Sequence, residues 1–266
     1  MQKRRAALKK MTARLIASLV VVAVLLCSAS VLYAQCNASG MHRPIEDLFA
    51  SEVVYPQERG ETQIEVKRAI DTGEGEQTPP VVLMTEYGLS NAWQVGAGWD
   101  RSTRNVRLGS KLAFRCLHGA PYRLSIGADS EFEGTAGVHI EPNVILARDF
   151  SGRTYLFTSW SVDAPLTRHT EATNQWTFSG DIGMAVRVIR GVRLSTELPF
   201  SRRPSEPVEL QVIPGLLWRW RDRVEVGAGA LMRASRNANR GGLMHVVWEV
   251  GGEHTPAPTS PRQARN

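Results

Sequence analysis

The sequence places one histidine close to a carboxylate, in His139-Ile140-Glu141. A base and an acid of this kind activate a nucleophile only when its hydroxyl or thiol lies within hydrogen-bond reach on the same face. No serine stands two residues from His139. We therefore interpret His139 and Glu141 as a polar pair, and we predict that the chain has no catalytic residues and is not an enzyme.

The histidines lack the spacing of a metal site, in which Cys or His ligands recur at short intervals. None of them is followed by a Cys or His two to four residues later. The glycine-rich piece Gly227-Ala228-Gly229 does not open a helix, so it is unsuited to hold a phosphate. The sequence therefore predicts no metal and no cofactor. The histidines are His42, His118, His139, His169, His245 and His254.

Four basic residues stand on two neighbouring segments joined by a short turn. If their side chains face a water-filled lumen, they favour anionic solutes. Alternatively, they pair with inward carboxylates such as Asp129 and Glu141 and brace the wall. The near balance of inward charges favours bracing. The four basic residues are Arg107, Lys111, Arg115 and Arg123.

The elements that would position these residues are strands, because twelve segments alternate apolar with polar or small residues. A strand that spans a bilayer needs about 9–11 residues, and the sheet must close because hydrocarbon tolerates no unpaired edge. Only 42% of the residues are hydrophobic and the mean hydropathy is −0.21, which is typical of a barrel with one wet face. The predicted strands are 62–70, 81–87, 92–99, 106–117, 122–131, 138–148, 154–162, 176–189, 192–199, 208–220, 224–231 and 243–250.

The connections alternate between short and long, as in outer-membrane barrels with short periplasmic turns and longer outer loops. The short connections are 88–91, 118–121, 149–153, 190–191 and 221–223, and the long ones are 71–80, 100–105, 132–137, 163–175, 200–207 and 232–242. The fold class we predict is all-β: a closed antiparallel up-and-down transmembrane β-barrel of about 12 strands.

Alternation within each strand assigns its two faces, because successive side chains point to opposite sides. We expect even-numbered residues such as Ile182, Met184 and Val188 to face lipid. The assignment is ambiguous in strand 154–162, where Tyr155 and Phe157 compete with Leu156, Trp160 and Val162. The predicted lumen-lining residues, which form a pore or brace it, are Arg107, Lys111, Arg115, Arg123, Asp129, Glu141, Asp181, Arg187, Arg193, Glu197, Glu209, Arg219 and Glu225.

The ends of the chain differ from its middle. Residues 1–34 read as a secretory signal peptide, with a basic start and a short apolar run. We predict an irregular, polar N-terminal segment at 35–60, the barrel at 61–250 and a disordered tail at 251–266. Removing the six basic leader residues leaves 26, equal to the 26 acidic residues, so no nucleic-acid partner is expected. Cys36 and Cys116 are either an oxidised pair or two free thiols.

Two stretches resemble a family of bacterial outer-membrane proteins labelled transporter-like or meta-pathway phenol-degradation proteins. In VYPQERGETQIEV, residues 54–66, a proline and a glycine precede a first strand that carries an acidic residue. EYGLSNAWQVG, residues 86–96, is similar to the family's tyrosine-glycine-leucine turn and the strand after it. The resemblance implies a closed outer-membrane barrel with a role in the uptake of small, often apolar, compounds, and it supplies no catalytic residues.

These observations predict an outer-membrane protein, in contact with lipid, that acts as a passive or facilitating channel or transporter for small molecules. The alternative is a structural or adhesive barrel whose lumen is plugged and whose loops, especially 163–175, contact partners. An outer-membrane hydrolase is a third and weaker hypothesis.

Overall fold

The computed structural model describes residues 47–50, 52–71, 81–114, 122–133, 137–150, 153–166, 176–204, 206–220, 223–233 and 240–251. The predicted signal peptide, the predicted tail beyond Gly251, Cys36, Cys116 and Arg115 lie outside the described residues. Within these ranges the secondary structure is all strand, and no helix is long and apolar enough to cross a membrane. The strands are β1 Glu61–Asp71, β2 Val81–Ser90, β3 Trp93–Asp100, β4 Val106–Phe114, β5 Tyr122–Glu133, β6 Gly137–Phe150, β7 Thr154–Pro165, β8 Thr177–Ile189, β9 Val192–Glu197, β10 Phe200–Arg202, β11 Glu209–Trp220, β12 Val224–Arg233 and β13 Arg240–Gly251.

The sheet closes on itself as an antiparallel barrel. Consecutive strands pair with each other, except that β9 and β10 both lie between β8 and β11, and β1 pairs with β13 from Glu61 opposite Gly251 to Asp71 opposite Gly241. The short strand β10 continues the register of β9 on both sides, because β8 and β11 pair with each of them. The prediction of a closed twelve-strand barrel is therefore confirmed, with one of the twelve strands divided in two.

The division falls at Leu198 and Pro199, where the proline has no N–H to donate to the ladder. The sequence interpretation ended this strand at Pro199 and placed a loop at 200–207. That boundary is wrong, since Phe200 pairs with Gly180 on β8 and with Leu210 on β11. Most other predicted boundaries differ from the observed ones by a few residues.

The two ends of the barrel differ in their connections. Glu61 and Gly251 lie together at one end, which we call the terminal end, with the tight turn between β8 and β9. Gly191 in that turn has a φ of 76°, a conformation that glycine adopts without strain. The opposite end, the loop end, carries the longer connections, which fall largely outside the described residues.

The outer surface is apolar along every long strand. On β8 the even-numbered Ile182, Met184 and Val188 are 51%, 42% and 58% exposed, whereas Asp181, directly before Ile182, is buried. An apolar belt of this extent is destabilising in water and suits contact with lipid. The ambiguous strand β7 follows the same parity, because Tyr155 and Phe157 are buried inside and Leu156 and Trp160 face outward.

Residues 47–50 and 52–58 lie inside the barrel rather than beside it. Leu48, Val53, Val54 and Tyr55 are each at most 3% exposed, and they form the core together with inward side chains of the wall such as Tyr155. The described part of the predicted N-terminal segment is irregular, and its side chains are mostly apolar and buried. We call residues 47–60 the lumenal segment.

Candidate functional site: the barrel lumen

The lumenal segment crosses the interior and contacts opposite walls. The backbone N–H of Gln57 donates to Gln94 Oε1 on β3 at 2.9 Å. Further along, Lys111 Nζ on β4 donates to the carbonyl of Val53 at 3.0 Å. Followed from Gln57 back to Val53, the segment therefore runs from the terminal end along β3 and β4 into the lumen.

On the N-terminal side of Val53, residues 47–50 reach the opposite wall of the barrel. Glu197 on β9 accepts hydrogen bonds from the backbone N–H groups of Phe49 at 2.9 Å and Ala50 at 2.8 Å. The N–H of Asp47 lies 3.4 Å from Glu225 Oε1 on β12. Irregular backbone inside a membrane barrel needs such partners, because an unpaired buried N–H costs free energy.

Aromatic rings fill the space between the segment and the wall. The rings of Tyr55 and Tyr155 lie 5.9 Å apart, and the guanidinium of Arg123 lies over the Tyr55 ring at 5.3 Å. Burial raises the pKa of Tyr55 to about 12, so its hydroxyl stays neutral. On the other side of the lumen, Phe49 stacks on His245 with ring centroids 4.9 Å apart.

A buried charge cluster holds the start of the segment. Lys67 Nζ lies 2.8 Å from Asp47 and 3.0 Å from Glu65. Burial alone would raise the pKa of Asp47, but the charge of Lys67 and the surrounding hydrogen bonds outweigh it and hold this pKa below its ordinary value. Asp47 is therefore ionised and electrostatically bound to the β1 wall.

The basic residues singled out from the sequence are largely engaged with acids or with the segment. Arg107 pairs with Glu141 and lies 3.8 Å from Asp129. Lys111 is 3% exposed and lies 3.3 Å from Glu52. These contacts favour bracing over an exposed anion path.

The other predicted lumen residues lie as follows. Asp181 accepts a hydrogen bond from the N–H of Leu198 at 2.9 Å, beside the division of the strand. Arg187 stands opposite the buried Arg193, and Arg219 opposite the buried Glu225. Glu209 is exposed near the loop end. Their role in a pore stays a prediction.

His139 does not pair with the carboxylate suggested by the sequence. Its Nδ1 lies 3.1 Å from Asp163 on β7, while Glu141 is engaged with Arg107. The sequence did not predict Asp163 as the partner, because alternation shows which face a residue occupies but not which residue lies next to it on the neighbouring strand. Among the described residues, no group of three or more His, Cys, Asp and Glu side chains is placed to hold a metal ion.

A cavity of about 270 Å³ lies between the lumenal segment and the loop end. We call it the vestibule; Ala50 contributes to its lining from the segment. Five carboxyl side chains and one basic side chain line it within the described part of the chain. They are Glu52, Asp129, Glu141, Asp181, Glu209 and Arg107.

The vestibule narrows towards the terminal end. A second cavity of about 10 Å³ shares Glu52, Arg107 and Asp129 with it and reaches Glu86 and Gln94. A volume of this order admits about one water molecule. The lumen beside the segment is therefore constricted in this conformation.

The sequence pattern did not predict the lumenal segment or the charges of β1. The stretch 35–60 was interpreted as polar, but it contains the apolar pieces Leu48-Phe49 and Val53-Val54-Tyr55. These pieces are the feature of the sequence that could have indicated a buried segment. Glu65 and Lys67 also follow the inward parity of β1. Neither signal shows that the apolar pieces pack inside the barrel.

No protein-family model and no curated protein matches this chain. Solved structures do resemble it. The NanC porin has a TM-score of 0.58 at 10% identity, covering 70% of this chain and 100% of the porin. The KdgM porin has a TM-score of 0.54 at 9% identity, covering 71% of this chain and 99% of the porin.

An outer-membrane channel from Pseudomonas putida F1 has a TM-score of 0.55 at 8% identity, with 74% of this chain and 98% of the channel covered. At sequence identities this low, the similarity concerns the fold and does not extend to the solute. The predicted resemblance to outer-membrane transporter-like barrels is thus confirmed at the level of the fold, and the chain has the closed-barrel architecture of outer-membrane porins and channels.

Proposed function

We propose that the protein is an outer-membrane channel through which small solutes diffuse, with the loop end outside and the terminal end in the periplasm. The observation that carries this proposal is the closed wall, which is apolar on its outer face and charged on its inner face. Such a wall is stable in a bilayer and offers solutes a polar route across it. The fold shared with porins supports the same assignment.

The charge of the vestibule favours cations and neutral solutes over anions. Its carboxyl groups outnumber its basic groups, and Arg107 is already paired with Glu141. Charged rings at a narrow mouth concentrate counter-ions and exclude ions of the same sign. Selectivity is therefore opposite to the anion preference considered for Arg107, Lys111, Arg115 and Arg123.

Release from proteoliposomes tests the channel function. Vesicles that contain the refolded full-length protein are loaded with potassium chloride and with neutral sugars of increasing size. We expect potassium to leave faster than from empty vesicles, and larger sugars to leave more slowly because the constriction is narrow. Release no faster than from empty vesicles contradicts the proposal.

The second candidate function is a structural or adhesive barrel whose lumen is permanently plugged. The observation in its favour is the lumenal segment, which reaches from Gln94 on β3 to Glu197 on β9. Impermeable vesicles would support this candidate. A hydrolase has the weakest support, because Glu141 is engaged with Arg107. Turnover of an ester or phospholipid by the refolded protein would support the hydrolase hypothesis.

A further inference from the structure

We propose that the start of the lumenal segment, residues 47–50, is a gate in which Phe49 blocks the lumen and Glu197 holds it in place. This inference rests on the proposed channel function. It adds that the constricted lumen is one of two states of the same protein. The other state arises when residues 47–50 leave the wall while the rest of the segment stays bound.

Phe49 occupies a recess formed by glycines. Its ring lies against Gly215 on β11 so closely that a side chain at that position would collide with it. A Cβ added at Gly229 on β12 would lie 3.4 Å from the same ring. The opposite face of the ring stacks on His245, and Phe49 is only 7% exposed. Removing this ring therefore leaves open space along the wall.

Glu197 is the residue that fixes Phe49 in the recess. Its carboxylate is fully buried and accepts two backbone hydrogen bonds, from Phe49 and Ala50. Hydrogen bonds to a charged acceptor are about twice as strong as those between neutral groups. Among the described residues, no backbone-to-backbone hydrogen bond joins residues 47–50 to the wall. The start of the segment is held by side chains, so it can be released without breaking the sheet.

The position of the gate connects it to the vestibule. Ala50 and Glu52 line the vestibule from the segment. Movement of Phe49 and Ala50 therefore joins the vestibule to the glycine-lined recess at Gly215 and Gly229. The remaining part of the segment, from Val53 to Gln57, keeps its bonds to Lys111 and Gln94.

Single-channel recording of full-length variants in planar bilayers tests the gate. Phe49→Ala should raise the unitary conductance at least about two-fold, because a wider path carries more ions. Phe132→Ala is the matched control, since Phe132 is 40% exposed on the outer face. Glu197→Gln should raise the fraction of time spent open, whereas Glu206→Gln, which changes the same group in an exposed ion pair with Arg203, should not.

A thiol variant keeps the test decisive if conductance alone is ambiguous. In a chain with Cys36 and Cys116 replaced by serine, Phe49→Cys should conduct like Phe49→Ala, and a bulky thiol reagent should lower the conductance again. Heat-modifiable mobility on gels shows that each variant is folded. An unchanged unitary conductance in Phe49→Ala, together with an unchanged open fraction in Glu197→Gln, overturns the gate while leaving the channel intact. Silence of every folded variant overturns the channel function itself.

Discussion

The phenol oxygen of Tyr155 on β7 accepts a hydrogen bond from the backbone N–H of Val54 at 3.2 Å. Both residues are at most 2% exposed, so no water replaces this bond if it is lost. Tyr155→Phe should therefore lower the free energy of unfolding by about 1–3 kcal/mol, the cost of a buried unpaired N–H. Urea unfolding in detergent micelles measures the change.

Tyr122→Phe is the matched control for that variant. Tyr122 is 40% exposed on β5, and its hydroxyl accepts a hydrogen bond from Arg148 at 3.2 Å on the protein surface. Its loss should change stability by much less than the loss at Tyr155. Equal effects at the two positions would mean that the Val54 contact does not hold the segment in the lumen.

Gly215→Ala tests the fit of Phe49 against the wall. The added methyl group would collide with the Phe49 ring, so the start of the segment should be displaced and the unitary conductance should rise. The closest collision is with the ring, and the Ser195 hydroxyl at 2.9 Å can rotate away, so combining Gly215→Ala with Phe49→Ala should give no further increase. Gly242→Ala is the control, since its Cβ would meet no atom closer than 3.8 Å and Gly242 lines neither cavity. Additive effects of the two changes would show that they act separately.

The charge of the vestibule predicts cation preference. In a gradient of potassium chloride, the reversal potential of the full-length protein should have the sign of a channel that is more permeable to potassium than to chloride. Glu209→Gln removes one exposed carboxylate from the vestibule and should move the reversal potential towards zero. A chloride preference in the unaltered protein would show instead that the basic residues of the inner wall set selectivity.

The lipid-facing surface of β8 is tested by charge at two depths. Ile182→Arg places a cation in the middle of the apolar face and should destabilise the folded barrel by about 2–4 kcal/mol. Ile189→Arg, at the end of the same strand, should cost about 0–1 kcal/mol. Refolding into vesicles of defined lipid measures both. Equal costs would contradict the assignment of this face to hydrocarbon.

The sequence predicts the wall well because the wall follows a period of two. On β8 the parity of Ile182 and Met184 is unbroken, and each inward charge excludes the opposite register. The lumenal segment has no such period. Its contacts are single hydrogen bonds between distant positions, as between Phe49 and Glu197, which lie 148 residues apart.

The ambiguity at Tyr155 and Phe157 has the same origin. Parity alone cannot decide between two apolar faces, and the decision comes from the lumenal segment, which supplies Tyr55 and the N–H of Val54 as partners. The division of the strand at Pro199 escaped prediction because proline usually ends a strand. Here the neighbouring strands β8 and β11 keep the register on both sides of it.

Single-channel recording of the purified full-length protein tests the central claim most directly. The account predicts discrete current steps in potassium chloride, with small steps in the unaltered protein because the lumenal segment constricts the path, and larger steps in Phe49→Ala. A bilayer that stays silent with both proteins, when each shows the mobility of a folded barrel, would contradict the claim that this lumen is a route for solutes.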